Sequence, residues 1–292
     1  PRHDRESHEI FCYDNTRAQD NVRASLCSHA DNWIEIRDMD DGSLAQRIRA
    51  DRIDVLVDLS GHTRNNRLLA FARRPAPVQV SWLGYLNTTG MRAMDWRLVT
   101  PFSELPGAEE FHTERLWKLS GPLWPWIQPK GDGRVIPQAP PSASAGHVTF
   151  GSFNAFPKLN PEVIATWVEI LRSVPDARLR VYGVPGGTPV ERILDQFESA
   201  GVAVDRVDLI GRLPYERYVA AYGEVDIALD TFPYSGGATT CESLWMGVPV
   251  VALAGTGGFA RTSASFLLEL GLADLVAQSG REYISLAVNL SK

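Results

Sequence analysis

Residues 225–253, VDIALDTFPYSGGATTCESLWMGVPVVAL, carry the polar side chains and glycines of this chain best spaced to meet an anion. Val225 to Asp230 is a short apolar run with a β-branched bias and turn residues after it, which predicts a buried strand. The following loop carries Pro233 and the pair Gly236-Gly237. An apolar-periodic helix then begins near Thr239 and stops at Gly247, ahead of Pro249. Val248 to Leu253 predicts the second strand of a βαβ unit. Free backbone N–H groups at such a helix start, beside a loop with no side chains to block close approach, favour phosphate through hydrogen bonds and the helix dipole. Glu242, one turn in, can take both hydroxyls of a ribose, as an acidic residue does in dinucleotide folds. A structural reading stays open, because Thr239-x-x-Glu242 is also a capping box.

Three other sites have the residue types for chemistry. Lys158 lies in the loop Asn154-Ala155-Phe156-Pro157-Lys158-Leu159 at the carboxyl end of a predicted strand, facing the same crevice or simply solvated. His62, in Ser60-Gly61-His62-Thr63, can accept a proton, orient a substrate or bond to backbone. The polar loop Leu83-Gly84-Tyr85-Leu86-Asn87-Thr88-Thr89-Gly90 follows a strand and lies on the same rim. Asp38-Met39-Asp40 matches an Asp-x-Asp metal pair in form, but its acidic turn ahead of a helix favours solvated or capping aspartates.

The composition, 44% hydrophobic and 22% charged over 292 residues, is that of a globular protein long enough for two α/β domains. A net charge of −6 argues against a nucleic-acid surface. No apolar run reaches membrane-span length and no signal peptide opens the chain. Cys12, Cys27 and Cys241 have neither a disulfide framework nor a metal spacing, which points to a reducing, cytoplasmic compartment. The chain starts at Pro1 and stops inside a predicted helix, Glu282 to Lys292, so a piece of a longer protein is expected.

Strands and helices alternate throughout. In the first half, strands are expected at His8–Tyr13, Trp33–Ile36, Ile53–Leu59, Val78–Trp82, Met94–Thr100 and Arg115–Leu119, with helices over Ala18–Ser28 and from a Ser43 cap to Arg49. Ile53–Leu59 reads as a buried strand. In the second half, strands are expected at His147–Phe153, Arg178–Tyr182 and Val207–Ile210. Helices are expected from an Asn160 cap with Pro161 at N1, over Val190–Ser199 and over Glu216–Tyr222. Ile164, Trp167, Val168 and Leu171 share one helix face and predict core. The pattern implies two Rossmann-like α/β domains facing each other across a cleft: residues 1–121, incomplete at the start, and 147–292, incomplete at the end. The Pro-rich stretch 122–146 would join them, with Trp124 and Trp126 packed on a domain surface.

The runs DVLVDLSGHT (54–63), RRPAPVQVSWLGY (73–85), FGSFNAFPKLNP (150–161) and DIALDTFPYSGGATTCESLWMGVPVV (226–251) resemble the catalytic region of the O-linked N-acetylglucosamine transferase family, which includes bacterial members and plant SPINDLY-type proteins. The resemblance covers nearly the whole chain in order. It implies a GT-B-type fold and inverting sugar transfer without metal or cofactor. The donor would be UDP-N-acetylglucosamine and the acceptors Ser or Thr hydroxyls of proteins, commonly presented by tetratricopeptide repeats upstream. It also implies that Lys158 is the catalytic lysine contacting the donor diphosphate. Gly236, Gly237, Ala238, Thr239 and Thr240 would hold the phosphates and Glu242 the ribose. Leu213 and Tyr215 would meet the base, with Tyr218 near the donor, and Gly84 and Leu86 would lie beside the sugar. The chain departs from the family pattern at Asn32, where some members have a histidine, and at Ala155, where an amide is common. Leu86 replaces a usual proline and Tyr218 a usual histidine. These departures leave a second reading, a nucleotide-sugar-binding module without catalysis. A GT-B-like epimerase is a third, for which few cleft carboxylates and histidines are seen. The transferase reading requires Lys158 to be directed at the start of the Thr239 helix and the glycine pair to be open.

Overall fold

The computed structural model describes residues 3–127 and 139–292. Residues 128–138 of the expected Pro-rich connection, with Pro129 and Pro137, lie outside the described residues. The chain divides into two compact units. The first runs to Leu98 and takes in Phe111–Leu116; the second comprises Val99–Glu110 and the chain from Trp117 onward.

The first unit contains β1 (Phe11–Asp14), α1 (Asn21–Cys27), β2 (Asn32–Glu35), α2 (Asp41–Ala50), β3 (Val55–Asp58), α3 (Leu68–Phe71) and β4 (Val78–Ser81), then β5 (Trp96–Val99) up to Leu98 and β6 (Arg115–Lys118) up to Leu116. β1 and β2 form a parallel pair, and the other four strands form one sheet in the order β3-β4-β5-β6. Ser43 does not cap α2. Asp40 does, its Oδ1 accepting from the Gly42 and Ser43 amides while the Ser43 hydroxyl donates to Oδ2. An aspartate wins that position because its carboxylate takes several donors at once and opposes the helix dipole. Asp40 is thereby a cap, and Asp38 points to solvent beside Arg37. β3 is not the buried strand its composition suggests. Leu56 and Asp58 face inward, whereas Val55 and Val57 are exposed at 53% and 43%. Alternate residues of a strand face opposite sides, and α2 and α3 pack only on the Leu56 side, where Leu44, Ile48, Leu68 and Phe71 close the core.

The second unit contains α4 (Ser142–Ala145), β7 (Thr149–Ser152), α5 (Pro161–Ser173), β8 (Arg178–Tyr182), α6 (Thr188–Ser199), β9 (Val207–Ile210), α7 (Tyr215–Ala221), β10 (Ile227–Leu229), α8 (Ala238–Trp245), β11 (Val250–Leu253), α9 (Thr262–Glu269), β12 (Val276–Ala277) and α10 (Gly280–Leu290). Asn160 caps α5 as expected, accepting from the Val163 amide. Gly247 closes α8 at φ +79°, a conformation that suits glycine. The six strands are ordered β12-β11-β10-β7-β8-β9, and every adjacent pair is parallel. The chain steps outward through β7, β8 and β9, then returns to the far side of β7 for β10, β11 and β12. This is the doubly wound arrangement, and ligands bind outside the carboxyl ends of the strands where the direction reverses. Here that point lies between β7 and β10.

One face of the sheet is closed by α5, α6 and α10. Trp167, Ile170, Leu171, Phe197 and Tyr283 are buried there against Phe150, Leu179 and Val251. Each such side chain contributes roughly 1.5–3 kcal/mol through removal from water. On the other face Tyr222 and Met246, which directly follow α7 and α8, pack against Phe153, Tyr182 and Val250. The two layers fix the loops after β7 and β10 from both sides.

Candidate functional site

The loops leaving β7 and β10 meet at the sheet's reversal point. β7 leads to Asn154 and then to a single 3-10 turn, Phe156–Lys158. β10 leads to Asp230 and then to the Gly236-Gly237 pair. Lys158 donates from Nζ to the Ser235 carbonyl at 2.7 Å and to Asn154 Oδ1 at 3.4 Å, and lies 4.6 Å from the centre of the Tyr234 ring. Thr239 Oγ1 reaches the same Asn154 oxygen at 3.3 Å. The lysine is therefore directed at the start of α8. Burial lowers its pKa, and the nearby Asp230 carboxylate opposes that shift.

Asp230 underlies this arrangement. It is buried, and its Oδ1 accepts from the Gly236 amide at 2.7 Å and from Asn154 Nδ2 at 3.0 Å. Burial raises its pKa, against the hydrogen bonds it accepts. The carboxylate thus sets both the glycine turn and the rotamer of Asn154. Neither Asp230 nor Asn154 was singled out from the sequence. The available signal was a polar residue at the carboxyl end of each strand, but strand order decides which two ends are neighbours.

Gly237 precedes α8 and no side chain caps the helix. Among the described residues, no acceptor bonds the Ala238 or Thr239 amide, as the first turn of a helix leaves them. The Thr239-x-x-Glu242 capping box does not form, because the helix starts two residues too early for Thr239 to be its cap. Thr240 instead bonds Ser263 Oγ at 2.7 Å. Glu242 accepts the hydroxyls of Tyr218 and Tyr222. The glycine pair is less open than expected. A Cβ on Gly237 would lie 2.4 Å from the Trp124 indole, and one on Gly236 would meet Thr240, Thr239 and Asp230. Glycine is required here partly because these side chains pack against it.

Leu213, Tyr215 and Tyr218 line a pocket of about 310 Å³ with Phe153, Asn154 and Tyr182, a volume in the range of small-ligand sites. Lys158, Gly236, Gly237, Ala238, Thr239, Thr240, Glu242, Leu213, Tyr215 and Tyr218 all belong to the second unit.

Gly84 and Leu86 belong to the first unit. A Cβ on Gly84 would lie 2.0 Å from the Leu59 carbonyl oxygen, so this glycine is a packing requirement of the loop. The Leu86 side chain is buried. His62 bonds backbone, its Nε2 lying 2.8 Å from the Thr89 carbonyl oxygen. Glu114 is buried beneath the same loop; burial raises its pKa, but the hydrogen bonds it accepts from the Thr88 hydroxyl and from Thr89 outweigh this and hold it below the usual range.

The model of glycosyl transferase family 41 matches residues 1–116 and 141–292. The chain is 40% identical over 262 residues to a Hordeum vulgare protein named probable UDP-N-acetylglucosamine–peptide N-acetylglucosaminyltransferase SPINDLY, covering 89% of this chain and 28% of that one. To the protein of the same name from Solanum lycopersicum it is 37% identical over 296 residues, covering 99% and 32%. A mutant of the Thermobaculum terrenum O-GlcNAc transferase matches with a TM-score of 0.93 at 41% identity, covering 99% of this chain and 55% of that chain. This chain therefore spans about a third or less of the length of these two curated relatives.

Proposed function

The chain belongs to glycosyl transferase family 41, and we propose that it transfers a sugar from a nucleoside-diphosphate donor, UDP-N-acetylglucosamine, to Ser or Thr hydroxyls of a protein. Its fold is the GT-B-type α/β architecture with parallel sheets. The observation that carries the reading is the placement of Lys158 beside the uncapped start of α8. In the reaction the acceptor oxygen attacks the anomeric carbon from the side opposite the diphosphate. A new C–O bond forms, the C–O bond to phosphate breaks with its electron pair, and the acceptor proton is released. Attack from behind inverts the anomeric centre. Negative charge builds on the leaving diphosphate, where the ammonium and the Ala238 and Thr239 amides can stabilise it in the role a metal ion would otherwise fill. The Thr239 and Thr240 hydroxyls contribute to the cradle, Glu242 takes the ribose, and the pocket beside Leu213 and Tyr215 takes the base. The names of the relatives support this donor and a peptide acceptor. The proposal extends to residues 1–121 and 147–292 as acceptor-side and donor-side domains joined by 122–146, to tetratricopeptide repeats upstream in the parent protein, and to a cytoplasmic setting.

The test is incubation of the purified chain with UDP-N-acetylglucosamine and a peptide library, read as free UDP and a mass gain on peptide. Transfer to peptide with inversion, undiminished in chelator, is the expected result. The Trp124 indole against Gly237 favours a second reading, a module that binds the nucleotide sugar without turning it over. Binding of UDP with neither UDP release nor peptide modification would select it.

A further inference from the structure

Two phenols converge on the carboxylate assigned to the ribose. Tyr218 lies in α7, and Tyr222 follows one turn later. Their hydroxyls reach the same oxygen, Glu242 Oε2, at 2.8 and 3.0 Å, and lie 2.8 Å from each other. Burial pushes both phenols well above the ordinary tyrosine value, and the neighbouring carboxylate adds to the shift, so both keep their protons and donate. Phe153 holds the rings, stacked on Tyr222 at 3.8 Å and edge-on to Tyr218 at 5.7 Å between centroids. Among the described residues, no donor bonds the other oxygen, Glu242 Oε1. Tyr218 also lines the pocket beside Leu213 and Tyr215. Tyr218 thus touches both the pocket assigned to the base and the carboxylate assigned to the ribose.

We propose that Tyr218 and Tyr222 are positioning residues that make the site select a ribose over a deoxyribose, by holding Glu242 with one oxygen occupied and the other free for the sugar hydroxyls. The inference rests on the nucleotide reading above and adds to it the origin of sugar selectivity. A glutamate side chain loses rotamer freedom when it binds. With the clamp in place that cost is met in folding. A ligand lacking a hydroxyl then leaves a fixed, charged acceptor unpaired, which is how sites built to bond a hydroxyl discriminate strongly.

The experiment is calorimetric titration of UDP and GDP, each beside its 2′-deoxy counterpart, into wild type, Tyr218→Phe, Tyr222→Phe, the double variant and Glu242→Gln. Wild type is expected to prefer the ribonucleotide by about tenfold or more, the size of one lost charged hydrogen bond. The double variant should reduce that preference several-fold, and adding it to Glu242→Gln should change nothing further. A general loosening of the fold would weaken both sugars equally and leave the ratio intact. An unchanged ratio in the double variant, or no preference in wild type, overturns the clamp while the nucleotide reading stands. If wild type binds neither diphosphate, the nucleotide reading falls and the clamp with it.

Discussion

The Lys158 ammonium and the Ser235 carbonyl are joined by a 2.7 Å hydrogen bond that brings the loop after β7 to within two residues of the glycine preceding α8. Asn154 Oδ1, shared by Lys158 and Thr239, ties the same two loops a second time. The cation, the helix start and the hydroxyl are therefore positioned by the strand order.

Replacing Lys158 by alanine is expected to leave the fold intact and to lower kcat for sugar transfer by about 3 kcal/mol in the transition state, roughly two orders of magnitude. The pH dependence has a definite sign. Only the protonated amine stabilises a diphosphate, and burial holds its pKa below lysine's ordinary 10.5. UDP affinity should therefore fall as pH rises through that lowered value, before a free lysine would titrate. Titrations between pH 7 and 10 check this, because Lys158→Ala should lack the alkaline step. A wild-type turnover in that variant would remove the lysine from the mechanism.

Asp230 is expected to matter for stability first. Asp230→Ala orphans the Gly236 amide and Asn154 Nδ2 and should cost about 2–4 kcal/mol in urea unfolding. Asp230→Asn keeps an acceptor for both donors and should cost less. Its pKa is raised by burial, so the folded state takes up a proton before the unfolded state does. In the window between the ordinary aspartate value and the raised one, the folded chain binds more protons, and wild-type stability falls as pH rises. Relative to Asp230→Asn, wild type should therefore lose ground with rising pH through that window. Parallel unfolding curves at each pH would contradict the assignment.

Much of the second unit was legible because local signals agree with the final packing. Arg178–Tyr182 and Val207–Ile210 are strands with the expected ends, and Asn160-Pro161 opens α5. The start of α8 leaves two readings open in the sequence, because Thr239-x-x-Glu242 satisfies a local rule that the chain leaves unused. Gly237 starts the helix, and Tyr218 and Tyr222 claim the glutamate. Those partners lie 24 and 20 residues away, beyond any local pattern. Asn154 and Asp230 meet across 76 residues for the same reason, since adjacency of β7 and β10 is a property of topology. In the first unit, the apolar run around Val55 and Val57 reads as buried on both faces because composition does not say which face a helix will cover.

Gly237→Ala tests what covers the second glycine. A Cβ there would lie 2.4 Å from the Trp124 indole, so the indole contributes directly to the cost. Overpacking of this kind costs about 1–3 kcal/mol. Pairing it with Trp124→Leu should recover most of that loss, and the coupling in a double-mutant cycle should exceed about 0.5 kcal/mol. Additive losses would mean that the indole is not the obstacle.

Gly84→Ala should behave differently from Gly237→Ala, although both glycines sit in loops assigned to the donor. At Gly84 the added carbon would lie 2.0 Å from the Leu59 carbonyl oxygen, 2.7 Å from its carbonyl carbon and 2.9 Å from the Ser60 Cα. All three are backbone atoms, so no rotamer change relieves the contact. The loop must move, and with it the Asp58 carboxylate that accepts the Ser60 and Gly61 amides. A loss at or beyond the upper end of about 1–3 kcal/mol is expected. Substituting the Leu59 side chain should restore none of it, because the clash is with the main chain. Denaturant midpoints for Gly84→Ala and Gly84→Ala/Leu59→Ala check the point. A recovery in the double variant would show that the side chain, and not the carbonyl, excludes a larger residue at 84.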